Sequence, residues 1–262
     1  MKVTLVVTTY NNPSALRKVT ESILHQTRLP DEVIIADDGS DENTAQVVKT
    51  FSTIAPFPVF HVWHEDRGFR AAKIRNEAIK KCSGDYIIFL DSDCVVNRHF
   101  IKDHLLLKED GFFIQGKRLL ISQNASEEFD DDIANSYSSL FKMGIQGHIK
   151  NRHHLIRLPL PFSIKNKRLK GIKGCNMGFF KKDLLAVNGF NEDFIGWGRE
   201  DSELAVRLFK YGLRRKEYHF KAICFHLWHP SYPKDTLVTN DSLLQRTIKE
   251  ESYFCSNGIV KR

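Results

Sequence analysis

The sequence predicts an α/β fold in which a mostly parallel sheet is flanked by helices. Over the first hundred residues, apolar runs of strand length alternate with longer stretches whose apolar residues recur at helical spacing. Such alternation is typical of βαβ units. The chain has 262 residues, 42% of them hydrophobic. That is enough to bury the core of one large domain, or of two closely packed lobes.

Strands and helices are expected to alternate strictly up to residue 90. The first helix has the clearest beginning, because Asn12 and Pro13 are typical of an N-cap and a first turn. Its apolar residues Leu16, Val19 and Ile23 then fall on one face. The expected strands cover residues 3–8, 32–36, 59–63 and 86–90, and the expected helices cover residues 11–26, 42–51 and 70–81.

The alternation fades after Asp93, and the second half is expected to be less regular. Residues 100–118 are typical of a helix followed by a strand. Residues 158–161, Leu-Pro-Leu-Pro, disfavour regular structure and predict an ordered loop or flap. An organised block is expected over residues 171–228, followed by a tail from residue 232 that is at least partly helical.

Polar side chains follow the predicted strands at the points where they end. The strand before Asp91, Ser92 and Asp93 delivers two carboxylates to its carboxyl end, where open α/β sheets bind ligands. Their oxygens suit Mg²⁺ or Mn²⁺. Simple turn chemistry is the alternative for each motif taken alone. The other three strand ends are followed by Thr8 and Tyr10, by Asp38, and by Arg70. Together the four strand ends predict a nucleotide-binding site.

A second pair of carboxylates, Glu200 and Asp201, is expected in the first turn of a helix. The apolar residues Leu204 and Leu208 form its buried stripe, and Gly212 suits its end. The pair would stabilise the helix dipole by about 0.3–1 kcal/mol if it did nothing else. The functional alternative is a general base that acts on an acceptor hydroxyl.

Positive charge is concentrated in one part of the chain. The net charge is +7, and no Asp or Glu occurs between Ile133 and Lys182. Lysines and arginines crowd residues 150–173, here called the basic segment. It is expected to attract anions, and its partner could be a nucleic acid, an anionic bilayer or an acidic glycan. A basic loop that is merely solvated is the alternative.

The cysteines and the N-terminus bear on the cellular compartment. The five cysteines show no CxxC pair, so neither a disulfide framework nor a structural zinc site is suggested. The apolar run after Met1 is too short for a signal peptide, and no run approaches a membrane span. We therefore expect a cytoplasmic protein that contacts the inner face of the cell membrane, if at all, only peripherally.

The first half resembles the donor-binding half of the family 2 glycosyltransferases. The resemblance is carried by LVVTTYNN, IIADDGS and RGFRAAKIRNEAIKKCSGDYIIFLDSDC. Those enzymes have a GT-A fold and take a sugar from a nucleotide diphosphate sugar. The resemblance implies donor-binding roles for the strand-end residues: Thr8 and Tyr10 at the edge of the base pocket, Asp38 on uracil, Arg70 near the base and phosphates, Asp91 and Ser92 near the ribose or donor sugar, and Asp93 on Mn²⁺ or Mg²⁺.

The second half is similar to β-1,4-galactosyltransferases and chondroitin-polymerase-like enzymes, through GCNMGFFKKDLLAVNGFNEDFIGWGREDSELAVRLFKYG. In those enzymes a tryptophan-glycine turn lines the sugars, which implies that role for Trp197. An adjoining Glu-Asp pair, here Glu200 and Asp201, binds and deprotonates the acceptor. The chain departs from the galactosyltransferases at Arg199, where glycine is common, so the sugar and acceptor preferences stay open.

Relatives also supply a late histidine to the metal. His226 is the preferred candidate here and His229 is its rival, because both end an apolar run of strand length. A structural histidine at a strand end is the alternative. Trp228, between them in sequence, is a second candidate for sugar contact.

The resemblance implies an inverting, metal-dependent transferase that moves a Gal, GalNAc or Glc type of sugar from a UDP-sugar to a glycan or lipid-linked glycan in surface polysaccharide synthesis. Residues 1–95 would be the donor-binding half and residues 96–262 the acceptor-binding and catalytic-base half of one domain. A nucleotidyltransferase is one alternative, but no glycine-rich, lysine-bearing loop follows Val7. The other is a catalytically silent glycan- or nucleic-acid-binding protein, which needs no general base. No nucleic acid partner is expected.

Overall fold

The computed structural model describes residues 1–155, 157 and 163–262. The expected loop or flap at residues 158–161 lies outside the described residues. The strands are β1 (Val3–Thr9), β2 (Glu32–Asp37), β3 (Val59–Trp63), β4 (Tyr86–Asp91), β5 (Cys94–Val96), β6 (Phe112–Gln115), β7 (Lys117–Ile121), β8 (Ile149–Lys150), β9 (Ser163–Asn166), β10 (Asn176–Phe180), β11 (Arg214–Tyr218) and β12 (Ile223–His226). The helices are α1 (Pro13–Leu24), α2 (Glu42–Ile54), α3 (Ala71–Lys81), α4 (Phe100–Leu107), α5 (Gln123–Ser126), α6 (Asp131–Asn135), α7 (Tyr137–Ile145), α8 (Lys181–Ala186), α9 (Glu200–Tyr211) and α10 (Leu237–Lys249).

The large sheet has the strand order β3-β2-β1-β4-β10-β6-β11-β9. β1 to β4 are parallel, and Thr8 of β1 is the register partner of both Ala36 of β2 and Asp91 of β4. β10 comes from the second half of the chain, yet it pairs antiparallel with β4 and with β6. It therefore lies in the interior of the sheet, and the two halves of the sequence complete one sheet between them.

A smaller sheet has the order β5-β12-β7-β8. β5 begins directly after Asp93 and pairs antiparallel with β12, so that Cys94 is the register partner of His226. The sequence analysis predicted no strand here, because three residues are too few to show a period. This short pairing brings Asp93 to the end of β12.

Alternate residues of the parallel strands pack on opposite faces of the large sheet. Leu5 and Val7 belong to the core that includes α1 and α2, whereas Val6 belongs to the core that includes α3, α8 and α9. All three side chains are fully buried. Since burial of such a side chain contributes about 1.5–3 kcal/mol, both faces stabilise the sheet. A sheet buried on both faces also explains why its strands read as continuous apolar runs.

The elements expected in the first half are confirmed to within three residues at each end. The Asn12 side chain caps α1 by accepting from the Ala15 N–H, and α3 begins at Ala71 rather than Arg70. Part of the basic segment forms β9, which pairs with β11. Within the described residues, no helix combines the length and the apolar character that crossing a bilayer requires.

Candidate active site

The strand-end residues meet in one cleft at the carboxyl edge of the parallel strands, as the register of β1, β2 and β4 requires. An adjoining cavity shares Arg75, Asp91 and Glu200 with the cleft and is also lined by Asp201. Arg70 is not among the lining residues of the cleft. The predicted residues that line it are Thr8, Tyr10, Asp38, Asp91, Ser92, Asp93, Trp197, Glu200, His226 and His229.

Arg75 is the cation around which the carboxylates are arranged. From α3 its guanidinium donates to Asp91 Oδ1 at 3.1 Å and to Glu200 Oε1 at 3.0 Å. Its Nε donates to Thr8 Oγ1 at 3.3 Å, and the side chain is only 5% exposed. Asp93 and Asp201 add negative charge to the site, which would attract a cation beside them.

The sequence analysis missed Arg75. A signal was available, because Arg75 occupies the face of α3 on which Ala71, Ala72 and Ala78 are buried. A charged residue at an apolar helical position is uncommon unless it is paired. Arg118 of β7 and Lys234 also line the cleft and were not anticipated.

Burial changes the proton affinity of the two carboxylates that Arg75 holds. Burial raises the pKa of Asp91 to about 7, although the positive charge of Arg75 opposes the shift. Burial, followed by the negative charge of Asp201, also raises the pKa of Glu200. Both acids would ionise more readily if another positive charge entered the site.

Asp38, which the resemblance assigns to uracil, already has two partners. His64 Nε2 lies 2.6 Å from its Oδ1, and the Arg70 backbone N–H donates to its Oδ2 at 2.7 Å. Burial raises the pKa of Asp38, although both hydrogen bonds oppose this shift. The Arg70 guanidinium donates to the Glu65 carbonyl. Arg70 therefore acts on this pocket through its backbone.

Tyr10 lines the same part of the cleft. Its hydroxyl donates to Asp66 Oδ2 at 2.9 Å, and this hydrogen bond raises the pKa of Tyr10. Phe69 is a further aromatic residue of the cleft. Two aromatic rings near a buried carboxylate give a base both surfaces to stack on and an acceptor for an N–H.

Asp93 faces both candidate histidines. Its Oδ2 lies 3.4 Å from His226 Nε2 and 3.3 Å from His229 Nε2, and the three ligand atoms lie within 4.8 Å of one another. The Pro230 carbonyl lies 2.7 Å from His229 Nδ1, which leaves Nε2 free to bind a metal. One carboxylate and two imidazoles fit a transition-metal ion such as Mn²⁺ better than Mg²⁺, which prefers oxygen.

Glu200 and Asp201 occupy the first turn of α9, as predicted, and Gly212 ends the helix with φ 112°. Arg199 precedes them in the left-handed conformation, φ 81°, which costs a residue other than glycine on the order of 1 kcal/mol. Asp201 is held at both oxygens, because the N–H groups of Gly174 and Ser202 donate to it at 2.9 and 2.6 Å. Its orientation is therefore fixed by the backbone.

The two candidate tryptophans differ in position. Trp197 lines both the cleft and the adjoining cavity and is 40% exposed. Lys234 Nζ lies 5.7 Å from the centroid of its ring. Trp228 is also exposed, but it is not among the lining residues of the cleft, and its backbone N–H donates to Ser126 Oγ at 2.6 Å. Trp197 is therefore the better placed of the two for sugar contact.

The basic segment is partly neutralised by acids from elsewhere in the chain. Arg157 pairs with the buried Asp103 at 2.6 Å, and Lys165 pairs with Glu109 at 2.8 Å. Lys167 donates to the Phe209 carbonyl. The positive field of the segment is consequently weaker than its composition indicates.

Comparisons with known proteins identify the family of the chain. The profile of glycosyl transferase family 2 matches residues 4–181, more than half of the chain. A second profile, described as the N-terminal domain of galactosyltransferase, matches residues 161–230. The first covers the parallel strands and the second covers the beginning of α9.

Two of the similar proteins are polysaccharide synthases. The chain is 26% identical over 253 residues to chondroitin synthase of Escherichia coli, which covers 88% of this chain and 35% of that protein. It is 29% identical over 228 residues to hyaluronan synthase of Pasteurella multocida, and that match covers 79% of this chain and 23% of that protein. The chain thus spans about a third or less of the length of these relatives.

Solved structures share the fold. TarS 1-349 of S. aureus in complex with UDP has a TM-score of 0.64 at 18% identity, covering 96% of this chain and 65% of that chain. The mannosyltransferase PcManGT of Pyrobaculum calidifontis, in complex with GDP-Man and Mn²⁺, has a TM-score of 0.61 at 16% identity. That match covers 94% of this chain and 72% of that chain. The fold is the GT-A fold of glycosyltransferases. Because the family profile spans most of the chain, the protein belongs to glycosyl transferase family 2 and is a glycosyltransferase.

Proposed function

We propose that this glycosyltransferase moves a sugar of the Gal, GalNAc or Glc type from a UDP-sugar to a hydroxyl of a glycan or lipid-linked glycan, with inversion and with a divalent metal. One observation carries the proposal: Arg75 joins Asp91, at a donor-strand end, to Glu200, in the first turn of α9. The carboxylate proposed to bind the donor and the carboxylate proposed to bind the acceptor thereby lie in one cleft. The similarity to chondroitin and hyaluronan synthases supports a role in surface polysaccharide synthesis.

The nucleotide of the donor would lie along the strand ends. Asp38 would accept the imide N–H of uracil, with Tyr10 and Thr8 at the edge of the base. Arg118 and Lys234 line the cleft and supply charge for the phosphates. TarS has been solved with UDP and with UDP-GlcNAc, which supports a nucleotide-sugar donor for this fold.

Mn²⁺ is the proposed cation, held by Asp93, His226 and His229. When bound, it supplies positive charge that stabilises the departing diphosphate. The mannosyltransferase PcManGT was solved in complex with Mn²⁺, which supports a divalent metal in this fold. Asp91 and Ser92 are left to contact the ribose or the donor sugar.

Asp201 is the proposed general base. Its carboxylate would take the proton of the acceptor hydroxyl while that oxygen attacks the anomeric carbon. The bond to the diphosphate breaks on the opposite face, its electrons leave with the diphosphate oxygen, and the anomeric configuration inverts. Glu200, held by Arg75, would bind the acceptor, and Trp197 would pack against the sugar.

A peripheral contact with the inner face of the cell membrane is also proposed, through α7 and the start of the basic segment. Phe141 and Ile145 lie one turn apart on α7 and are each 69% exposed. Phe141, Ile145 and Arg152 line one surface groove. Lys150 is exposed and lies two residues before Arg152 in sequence. Apolar side chains flanked by basic ones are typical of a helix that lies on an anionic leaflet. An enzyme bound to the membrane surface in this way would lie close to a lipid-linked acceptor.

Thermal unfolding with a panel of nucleotide sugars tests the proposed function. A UDP-sugar should raise the Tm only when Mn²⁺ is present, because a ligand that binds the native state alone stabilises it by about 2.7 kcal/mol at 100 times its Kd. Slow donor hydrolysis should then release UDP and the free sugar, whereas a nucleotidyltransferase, whose donor is attacked at the α-phosphorus, would release UMP and the sugar 1-phosphate. If GDP-mannose stabilises the protein more than every UDP-sugar does, the donor assignment is wrong.

A further inference from the structure

Three cysteines from distant parts of the chain meet in the core next to the cleft. Cys94 begins β5, Cys175 directly precedes β10, and Cys224 lies in β12. All three are buried and carry free thiols, and their Sγ atoms lie within 4.8 Å of one another. The strand pairings that build the two sheets therefore also assemble a cluster of three sulfurs. The absence of a CxxC pair in the sequence gave no sign of it.

We infer that Cys94, Cys175 and Cys224 form a binding site for one thiophilic d¹⁰ cation, such as Zn²⁺ or Cu⁺. Around an ion with metal–sulfur bonds of about 2.3 Å, the sulfurs of a tetrahedral or trigonal site lie about 4 Å apart. The observed spread of the three Sγ atoms needs little adjustment to reach this geometry. Soft thiolate ligands select such ions over Mg²⁺ and Mn²⁺.

Two nitrogen donors face the sulfurs of the cluster. Arg118 Nη1 lies 3.8 Å from Cys175 Sγ, and Asn176 Nδ2 donates to Cys224 Sγ at 3.5 Å. Three thiolates around a divalent ion carry one net negative charge, which the Arg118 guanidinium would balance. Arg118 Nε is buried and has no hydrogen-bond partner among the described residues. Three thiols that served only as small apolar core groups would need neither the cation nor the amide donor.

The site is distinct from the Asp93, His226 and His229 group but lies beside it. Cys94 directly follows Asp93 in sequence, and its Sγ lies 3.3 Å from Asp93 Oδ1. Oxygen and nitrogen ligands face the cleft, whereas the sulfurs lie in the core. Cys175 also lines the cavity that adjoins the cleft, which gives a cation a path to the sulfurs. An ion held there would tie β5, which directly follows Asp93, to β12, which ends at His226.

Binding requires no oxidant. Each thiol releases its proton to the solvent as its sulfur bonds to the cation, so the affinity should rise with pH and no electrons are transferred. Oxidation of two of the thiols to a disulfide would instead leave at most one thiolate ligand and abolish the site.

Cadmium titration of a variant with only the three cluster cysteines tests the inference. Cys82→Ser and Cys255→Ser together remove the two cysteines outside the cluster. In this reduced, full-length double variant, Cd²⁺ should produce thiolate-to-metal charge-transfer absorption in the ultraviolet that saturates at one equivalent, with the intensity of three thiolates. The same absorption should persist after a further His229→Ala substitution, because imidazole ligands do not contribute to it.

Loss of the signal should follow from removal of any cluster sulfur. Cys224→Ser, made in the double variant, is expected to abolish the saturable absorption, and its melting curve without metal checks that it remains folded. The inference is overturned if the double variant gives no charge-transfer absorption at one equivalent of Cd²⁺. It is equally overturned if a folded Cys224→Ser protein gives an unchanged signal.

Discussion

Arg75 Nη1 lies 3.0 Å from Glu200 Oε1, and this buried ion pair joins residues that are 125 positions apart in sequence. Arg75 belongs to the helix between β3 and β4, and Glu200 opens α9. The same guanidinium holds Asp91. Neither carboxylate can keep its position without an arginine supplied by α3, so the proposed donor and acceptor sites depend on one side chain.

Arg75→Met should destabilise the fold by up to about 3–5 kcal/mol, because it leaves two partly buried carboxylates without their cation. Urea unfolding measures the loss. Arg67→Met is the matched control, since Arg67 and Glu65 are both about 70% exposed and such a pair contributes at most about 1 kcal/mol. Equal losses in the two variants would contradict the central role given to Arg75.

Asp201→Asn should lower kcat by about 10²–10⁴-fold, because the amide cannot accept the acceptor proton. The Kd for the donor, measured by calorimetry with Mn²⁺, should stay within error of the wild type. Asp110→Asn, with a carboxylate on the surface, controls for the loss of one negative charge. If Asp201→Asn weakens donor binding and kcat in parallel, the residue is not the base.

His226→Ala and His229→Ala should each weaken Mn²⁺ binding by more than about tenfold, since either removes a ligand. Calorimetry of Mn²⁺ binding measures this, and the exposed His153→Ala serves as the control. The hydrogen bond to Asp93 raises the pKa of His229, so protons should compete with the metal at a higher pH than for an ordinary imidazole. An unchanged affinity in either variant removes that histidine from the proposed ligands.

His104 should make the fold sensitive to acid. Burial lowers the pKa of this α4 residue to about 4, although its hydrogen bond to Asn176 opposes the shift. The unfolded chain binds a proton near pH 6.5 that the native state does not bind. Stability should therefore fall between about pH 6.5 and 4, by up to about 3 kcal/mol. Urea unfolding across this range should show a shallower decline for His104→Gln than for the control His153→Gln, and equal declines would refute the assignment.

Lys150→Glu should weaken binding to anionic vesicles by at least about fivefold, because the loss of one basic residue near such a surface costs about 1 kcal/mol and the new carboxylate is repelled. Phe141→Ser should weaken it independently by removing apolar contact. Co-sedimentation measures both, and Lys49→Glu on α2 controls for net charge. Vesicle binding that responds equally to Lys150→Glu and Lys49→Glu would argue against a contact through α7.

The sequence predicted the strand-end part of the site well because its cause is local. Thr8, Asp38 and Asp91 each follow a continuous apolar run, and parallel pairing then brings such ends together. The glycine-rich turn before Glu200 and the stop at Gly212 are equally local signals. These positions can be predicted from the local sequence without knowledge of any distant contact.

The parts that were missed depend on distant contacts. The sequence marks Arg75 only as a charged residue on the buried face of α3, and its partners Asp91 and Glu200 are brought to it by the fold. β5 is too short to show a period, and it is a strand because β12 pairs with it. Cys94, Cys175 and Cys224 gather only after β10 and β12 have joined their sheets.

The interior position of β10 has a consequence for truncated proteins. A fragment that ends near residue 95 would leave the whole edge of β4 without its neighbour, from Tyr86 to Leu90. A long, apolar, unpaired edge is a template for strands of other molecules. We expect that fragment to aggregate unless the missing strand is supplied, and a separately expressed piece containing β10 should restore its solubility by complementation.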